Sequence, residues 1–185
     1  MDPDGRHFYF MEMNTRIQVE HGITEMVSGV DLVREQLRIA SGLPLSVTQE
    51  AVHITGHAIE CRVNAEDPAA DFRPCPGTVE FLHFPGGPGV RVDSCLYTGC
   101  QLPPWYDSLA AKVMAHAPTR LEAIRRMRRS LEEFILEGFP TNAELSYQIL
   151  YHPDFIRGCC TTAFLDEHLP ELLEFRRRLE EETKV

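Results

Sequence analysis

Between Phe10 and His21 the chain reads FMEMNTRIQVEH, and polar groups fall at Glu12, Asn14, Arg16, Gln18 and Glu20, every second residue. Met11, Met13, Ile17 and Val19 stand between them. Alternate side chains of an extended strand share a face, so this period predicts a β-strand with one apolar and one polar face. Two readings of the polar face are open: a solvated strand surface, or the floor of a site. Acids and amides are poor strand fillers, yet this face uses them almost exclusively. The set is also chemically coherent. Glu12 and Asn14 offer hard oxygen donors suited to Mg²⁺ or Mn²⁺. Arg16 can hold an oxyanion bidentately. Gln18 can orient a small anion, and Glu20 can act as a general base.

The rest of the chain alternates between strand and helix patterns. HFYFMEMN reads as the start of the same strand, and VDLVREQLRIASG as a helix with Val30, Val33, Leu37 and Ala40 on one face. HAIECRVNAE alternates again, with Ile59, Cys61 and Val63 opposite Glu60, Arg62 and Asn64. GTVEFLHFPGGPGVRVDS reads as two strands joined in a hairpin at Gly86–Gly89. A strand and not a helix follows PGGPG, so that stretch lacks the helix N-terminus a phosphate cradle uses. SLAAKVMAHA reads as a short apolar strand carrying Lys112, with the lysine stem packed along apolar surface. Thr119 and Glu122 form a capping box before a helix striped by Leu121, Ile124, Met127, Leu131, Phe134 and Ile135 and ended by Gly138. A second helix spans about 141–150, and a charged amphipathic helix closes the chain. The order predicts an α+β fold with a largely antiparallel sheet and flanking helices.

Composition narrows the partners. The formal net charge of −10 argues against nucleic acid or an anionic membrane. No apolar run has transmembrane length, and MDPDGRHFYF lacks the pattern of a signal peptide. The six cysteines include no C-x-x-C pair, so a reduced, cytoplasmic protein is expected. The eight histidines show no mutual spacing that predicts a metal site.

EMNTRIQVEH, TEMVSGVDLVREQLRIASG, GHAIECRVNAEDP, PGTVEF, PPWYDSLAAKV and EGFPTNAEL, in this order, resemble the C-terminal half of biotin carboxylase, the ATP-grasp component of acetyl-CoA carboxylase and its relatives. The resemblance implies the end of an ATP-grasp domain over 1–45, a biotin carboxylase C-terminal domain over 46–165 and a charged helix over 166–185. It implies ATP-dependent carboxylation of biotin, held on biotin carboxyl carrier protein, by bicarbonate through carboxyphosphate, with a carboxyltransferase as a further partner. It makes Glu12 and Asn14 metal ligands for Mg²⁺ or Mn²⁺ at the ATP phosphates. Arg16 becomes a catalytic arginine, with Gln18 and the Val19 backbone at the bicarbonate site. Glu20 becomes the base that deprotonates bicarbonate. Arg62 holds bicarbonate and stabilises the biotin enolate.

The family's N-terminal domain and phosphate-gripping lid are not in this sequence, so the chain is expected to be one part of the enzyme and inactive alone. A homodimer contact is implied near the Gly86–Gly89 turn, where Pro88 stands in place of an aromatic and Arg91 matches an interface arginine. Two other readings stay open: a non-catalytic binding or assembly module of a carboxylase complex, and an unrelated metal-dependent hydrolase using Glu12, Asn14 and Glu20.

Overall fold

The computed structural model describes residues 7–182, and the side chains of residues 7–174. The first six residues and the end of the charged tail lie outside the described residues. The fold is α+β, and every paired strand is antiparallel.

The central element is a three-stranded sheet in the order β1–β6–β5, from β1 (His57–Asn64), β5 (Val90–Asp93) and β6 (Leu109–Ala117). Its register sorts the side chains by chemistry. Cys61 pairs with Val113, and Val113 with Val92, so these share a face with Ile59, Val63, Ala111 and Ala115. That face packs against α3 (Arg120–Glu133) through Ile124, Met127 and Leu131 to form the main core. The opposite face carries Glu60, Arg62, Lys112, Met114, Arg91 and Asp93. It is covered in part by α1 (His21–Ser28), where Gly22 rests directly on Met114. β6 is therefore buried along nearly its whole length although it carries a lysine.

Two short pairs complete the strands: β2 (Glu66–Asp67) with β3 (Arg73–Pro74), and β4 (Phe81–His83) with β7 (Ile135–Glu137). A second apolar cluster of Val79, Leu96, Leu102 and Phe139 lies beside the latter pair. The remaining helices are α2 (Leu32–Ala40), α4 (Ala143–Ile149), α5 (Pro153–Arg157) and α6 (Phe164–Glu182).

Several sequence expectations change. Residues 7–16 form no strand: Phe8, Tyr9, Phe10, Met11 and Met13 are 73–90% exposed, and no ladder partner occurs among the described residues. A strand requires a neighbour for its backbone groups, and alternation cannot supply one. The period also breaks at Val19–Glu20, a turn that leads into α1. The expected hairpin at Gly86–Gly89 does not form, because β4 pairs with β7 and β5 with β6. The helix expected to run on to Gly138 stops at Glu133, with its capping box intact. Ile135–Glu137 pairs with β4 instead, so tertiary pairing overrides the helical stripe. In α2 the predicted apolar face is exposed at Val33 and Leu37, and the buried residue is Glu35, which accepts hydrogen bonds from Ser46. Lastly, α5 and α6 bring His152, Asp154 and His168 together, which linear spacing did not predict.

Candidate active site

The polar face of the central sheet is where separated parts of the sequence meet. Arg62 stands on β1 and donates from Nη2 to Glu20 Oε2 at 2.7 Å, across 42 residues of chain. Lys112 on β6 lies opposite Arg62 and donates from Nζ to the Val19 carbonyl at 2.9 Å. The sheet thus grips the turn before α1 twice, once through a carboxylate and once through the backbone.

α1 is fixed from its other side as well. Arg91 chelates Asp93 with two hydrogen bonds of 2.8 and 2.9 Å and reaches Glu25 of α1 at 2.6 Å. Glu25 also accepts the Leu32 N–H at 2.8 Å, which joins α1 to α2. Asp93 lies 3.5 Å from Lys112, and the adjacent Arg91 and Lys112 hold its carboxyl below the usual range against the effect of burial. The two carboxylates raise the Arg91 guanidinium further, so it stays cationic at any ordinary pH.

Glu60 is the unusual member. Its side chain is 5% exposed, its nearest cation is Arg62 Nε at 3.6 Å, and neither carboxylate oxygen has a hydrogen bond among the described residues. Burial pushes its carboxyl above the ordinary 4.5, outweighing the downward pull of Lys112 and Arg62. A carboxyl raised in the folded state binds its proton more tightly there than in the unfolded chain. Stability should therefore decline as pH rises from about 4.5 through the folded value. Glu60→Gln should remove that decline, so its melting temperature should gain on the parent as pH is raised from about 4 to 8. Melting curves in a pH series check this, and parallel profiles for the two proteins would contradict it.

The residues singled out from the sequence divide into two groups. Glu20, Val19 and Arg62 converge as described. Glu12 and Asn14 lie in exposed chain outside any helix or strand, and neither side chain makes a hydrogen bond or ion pair among the described residues. Arg16 is exposed and reaches the Ile17 carbonyl at 3.2 Å. Gln18 contributes its carbonyl to the turn, accepting the His21 N–H at 3.2 Å. The structure adds Lys112, Asp93, Arg91 and Glu25. For Lys112, Arg91 and Asp93 the sequence signal is charge on strands of otherwise apolar residues, on the sheet face that carries Arg62, while Glu25 lies on a helix and carries no such signal.

The site is thus a sheet face of paired acids and bases, capped by a short helix and backed by a helix-covered core. The family model for the biotin carboxylase C-terminal domain matches residues 60–167, and that for the ATP-binding domain of the carbamoyl-phosphate synthase L chain matches residues 1–48. The chain belongs to the biotin carboxylase family. It is 54% identical to the biotin carboxylase of Nostoc sp. over 167 residues, covering 90% of this chain and 37% of that protein. It is 51% identical to biotin carboxylase 1 of Bacillus subtilis over 167 residues, again covering 90% and 37%. Among solved structures it resembles the biotin carboxylase domain dimer of Hydrogenobacter thermophilus 2-oxoglutarate carboxylase, in complex with MgADP, ADP and bicarbonate. The TM-score is 0.85 and the identity 47%, over 89% of this chain and 36% of that one. The chain thus spans little more than a third of the length of these relatives. No helix among the described residues is long and apolar enough to cross a membrane.

Proposed function

We propose that this chain supplies the bicarbonate- and biotin-facing side of a biotin carboxylase. The reaction is carboxylation of biotin on its carrier protein, driven by ATP through carboxyphosphate, within acetyl-CoA carboxylase or a related carboxylase that also holds a carboxyltransferase. The 2.7 Å contact between Glu20 and Arg62 carries this reading. Both side chains are 47% exposed, so an ion pair here adds only roughly 0–1 kcal/mol to stability, while each group stays open to a ligand.

Glu20 takes the proton of bicarbonate, and the resulting dianion attacks the γ-phosphate of ATP. Arg62 orients the Glu20 carboxylate and presents its remaining donors to bicarbonate and then to the biotin enolate. Arg16 holds the anion from the other side, with Gln18 and the Val19 backbone beside it. Stabilising charge with fixed donors in this way is commonly the largest catalytic term. Lys112 holds the turn, its Nζ donating to the Val19 carbonyl.

Glu12 and Asn14 are a carboxylate and an amide two residues apart, a hard donor set that fits Mg²⁺ or Mn²⁺. Such an ion, when bound, neutralises charge on the nucleotide phosphates. In this reading residues 1–45 close an ATP-grasp domain, 46–165 form the carboxylase C-terminal domain and 166–185 are an appended charged helix. The protein acts in the cytoplasm, and a homodimer contact lies near the Gly86–Gly89 turn.

The test is to join residues 1–185 to the N-terminal part of the Nostoc relative. ADP formation that requires both biotin and bicarbonate is the expected result, with none from the 185-residue chain alone. A folded hybrid that binds ATP yet shows no biotin-dependent turnover would favour the assembly-module reading.

A further inference from the structure

A second gathering of titratable side chains lies at the C-terminal end, away from the sheet face. His152 caps α5, Asp154 stands in its first turn, and His168 comes from α6. Asp154 Oδ2 is 3.8 Å from His152 Nδ1 and 3.8 Å from His168 Nε2. One ligand atom from each residue lies within 4.8 Å of the other two. The side chains are 15%, 36% and 26% exposed, in chain order. Phe164 closes one side, its ring 4.9 Å from His152 and 5.0 Å from His168.

An ordinary polar cluster would close on itself through hydrogen bonds. Here 3.8 Å is too long for one, so neither imidazole is spent on the carboxylate. Arg157 donates to the other carboxylate oxygen, Oδ1, at 3.2 Å, which turns Oδ2 toward the two rings. The remaining tie is weak: His152 Nδ1 accepts the Asp154 N–H at 3.2 Å. Three ligand atoms thus lie within 4.8 Å of one another, with no hydrogen bond between the carboxylate and either imidazole.

We propose that His152, Asp154 and His168 form a binding site for a divalent transition-metal ion of the zinc type, which fastens α5 to α6. Two imidazoles and a carboxylate suit such an ion and not Mg²⁺ or Ca²⁺, which select oxygen-only shells. Ligand atoms around tetrahedral zinc are about 3.4 Å apart, so atoms that all lie within 4.8 Å of one another need a contraction of at most about 1.4 Å. The ion takes Asp154 Oδ2, His168 Nε2 and His152 Nδ1, whose lone pair is released from the Asp154 N–H. Water completes the coordination. Arg157, already on Oδ1, is the outer partner that orients the ligating carboxylate. This site is separate in place and donor type from Glu12 and Asn14.

The test uses the 185-residue chain without an affinity tag, under reducing conditions, titrated with Zn²⁺ alone by calorimetry. One ion per chain is expected. His168→Ala and Asp154→Asn should each weaken binding by more than the roughly 10- to 100-fold that loss of an outer-shell partner costs. A Cys159→Ser, Cys160→Ser double variant should bind as the parent does. In the unmodified chain, Zn²⁺ should shield His152 and His168 from carbethoxylation while exposed His83 still reacts. That footprint decides the matter even if a variant does not fold. Absence of binding, full binding by His168→Ala, loss of binding in the cysteine variant, or equal shielding of His83 would each overturn the proposal.

Discussion

Glu20→Gln, in the hybrid enzyme, should lower kcat by about two to four orders of magnitude, the usual range for loss of a general base. The amide keeps the size and the contact with Arg62 but has no basicity. The Michaelis constant for ATP should move little, because the proposed function places Glu20 at bicarbonate and not at the nucleotide. Arg62→Ala should lower kcat and kcat/KM together, as expected when an interaction matures in the transition state. Melting temperatures of both variants should stay close to the parent, because a half-exposed pair adds roughly 0–1 kcal/mol. A solvated strand face would instead predict unchanged turnover in both. Steady-state kinetics with free biotin, alongside thermal melts, separates the two accounts.

The largest effect on stability is expected at a residue far from this chemistry. Gly138→Ala should destabilise the chain by roughly 2–6 kcal/mol, combining backbone strain with a steric overlap. Gly138 holds φ at +118°, a conformation that L residues rarely adopt. An added Cβ would run into the backbone carbonyl of Thr78 and meet Glu80 N at 3.1 Å. Both neighbours are main chain, so no side chain can rotate away. The position also follows β7, whose pairing with β4 holds the second apolar cluster in place. Denaturant titration checks the result, and a shift within a few tenths of a kcal/mol would contradict the packing described here.

How far the sequence reveals this fold depends on where each element finds its partner. β1, β6 and the capping box of α3 were legible, because local pattern and final environment agree there. Ile59, Cys61 and Val63 alternate in the sequence and do face the core. The stretch around Met11 and Met13 alternates as a strand does and yet forms none, because alternation records suitability for a sheet, not the presence of a neighbouring strand. β4 and β5 were misjoined for a related reason. Nothing local tells Phe81–His83 that its partner is Ile135–Glu137, more than fifty residues away. α1 is hard to read because its eight residues, HGITEMVS, are short and have no side-chain cap, although Ile23, Met26 and Val27 fall at helical spacing, and its place depends on Gly22 against Met114 and Glu25 against Arg91.

The site was legible to a similar degree. Glu20 is marked by the period of its stretch and Arg62 only by the family resemblance, and the structure brings the two together. Lys112 looked like a strand lysine with its stem in apolar surroundings, and only the register with Arg62 shows its hold on the Val19 carbonyl. His152, Asp154 and His168 could not be grouped from spacing, because the turn between α5 and α6 sets their geometry.

The central claim is that Glu20 and Arg62 act as one unit on the substrate anion. A double-mutant cycle in the hybrid enzyme tests it most directly, with kcat/KM for bicarbonate measured for the parent, Glu20→Gln, Arg62→Ala and the double variant. The account predicts that the double variant is little worse than the poorer single variant, as for residues that work as a unit. Losses that multiply independently, or single variants that turn over at the parental rate, would contradict it.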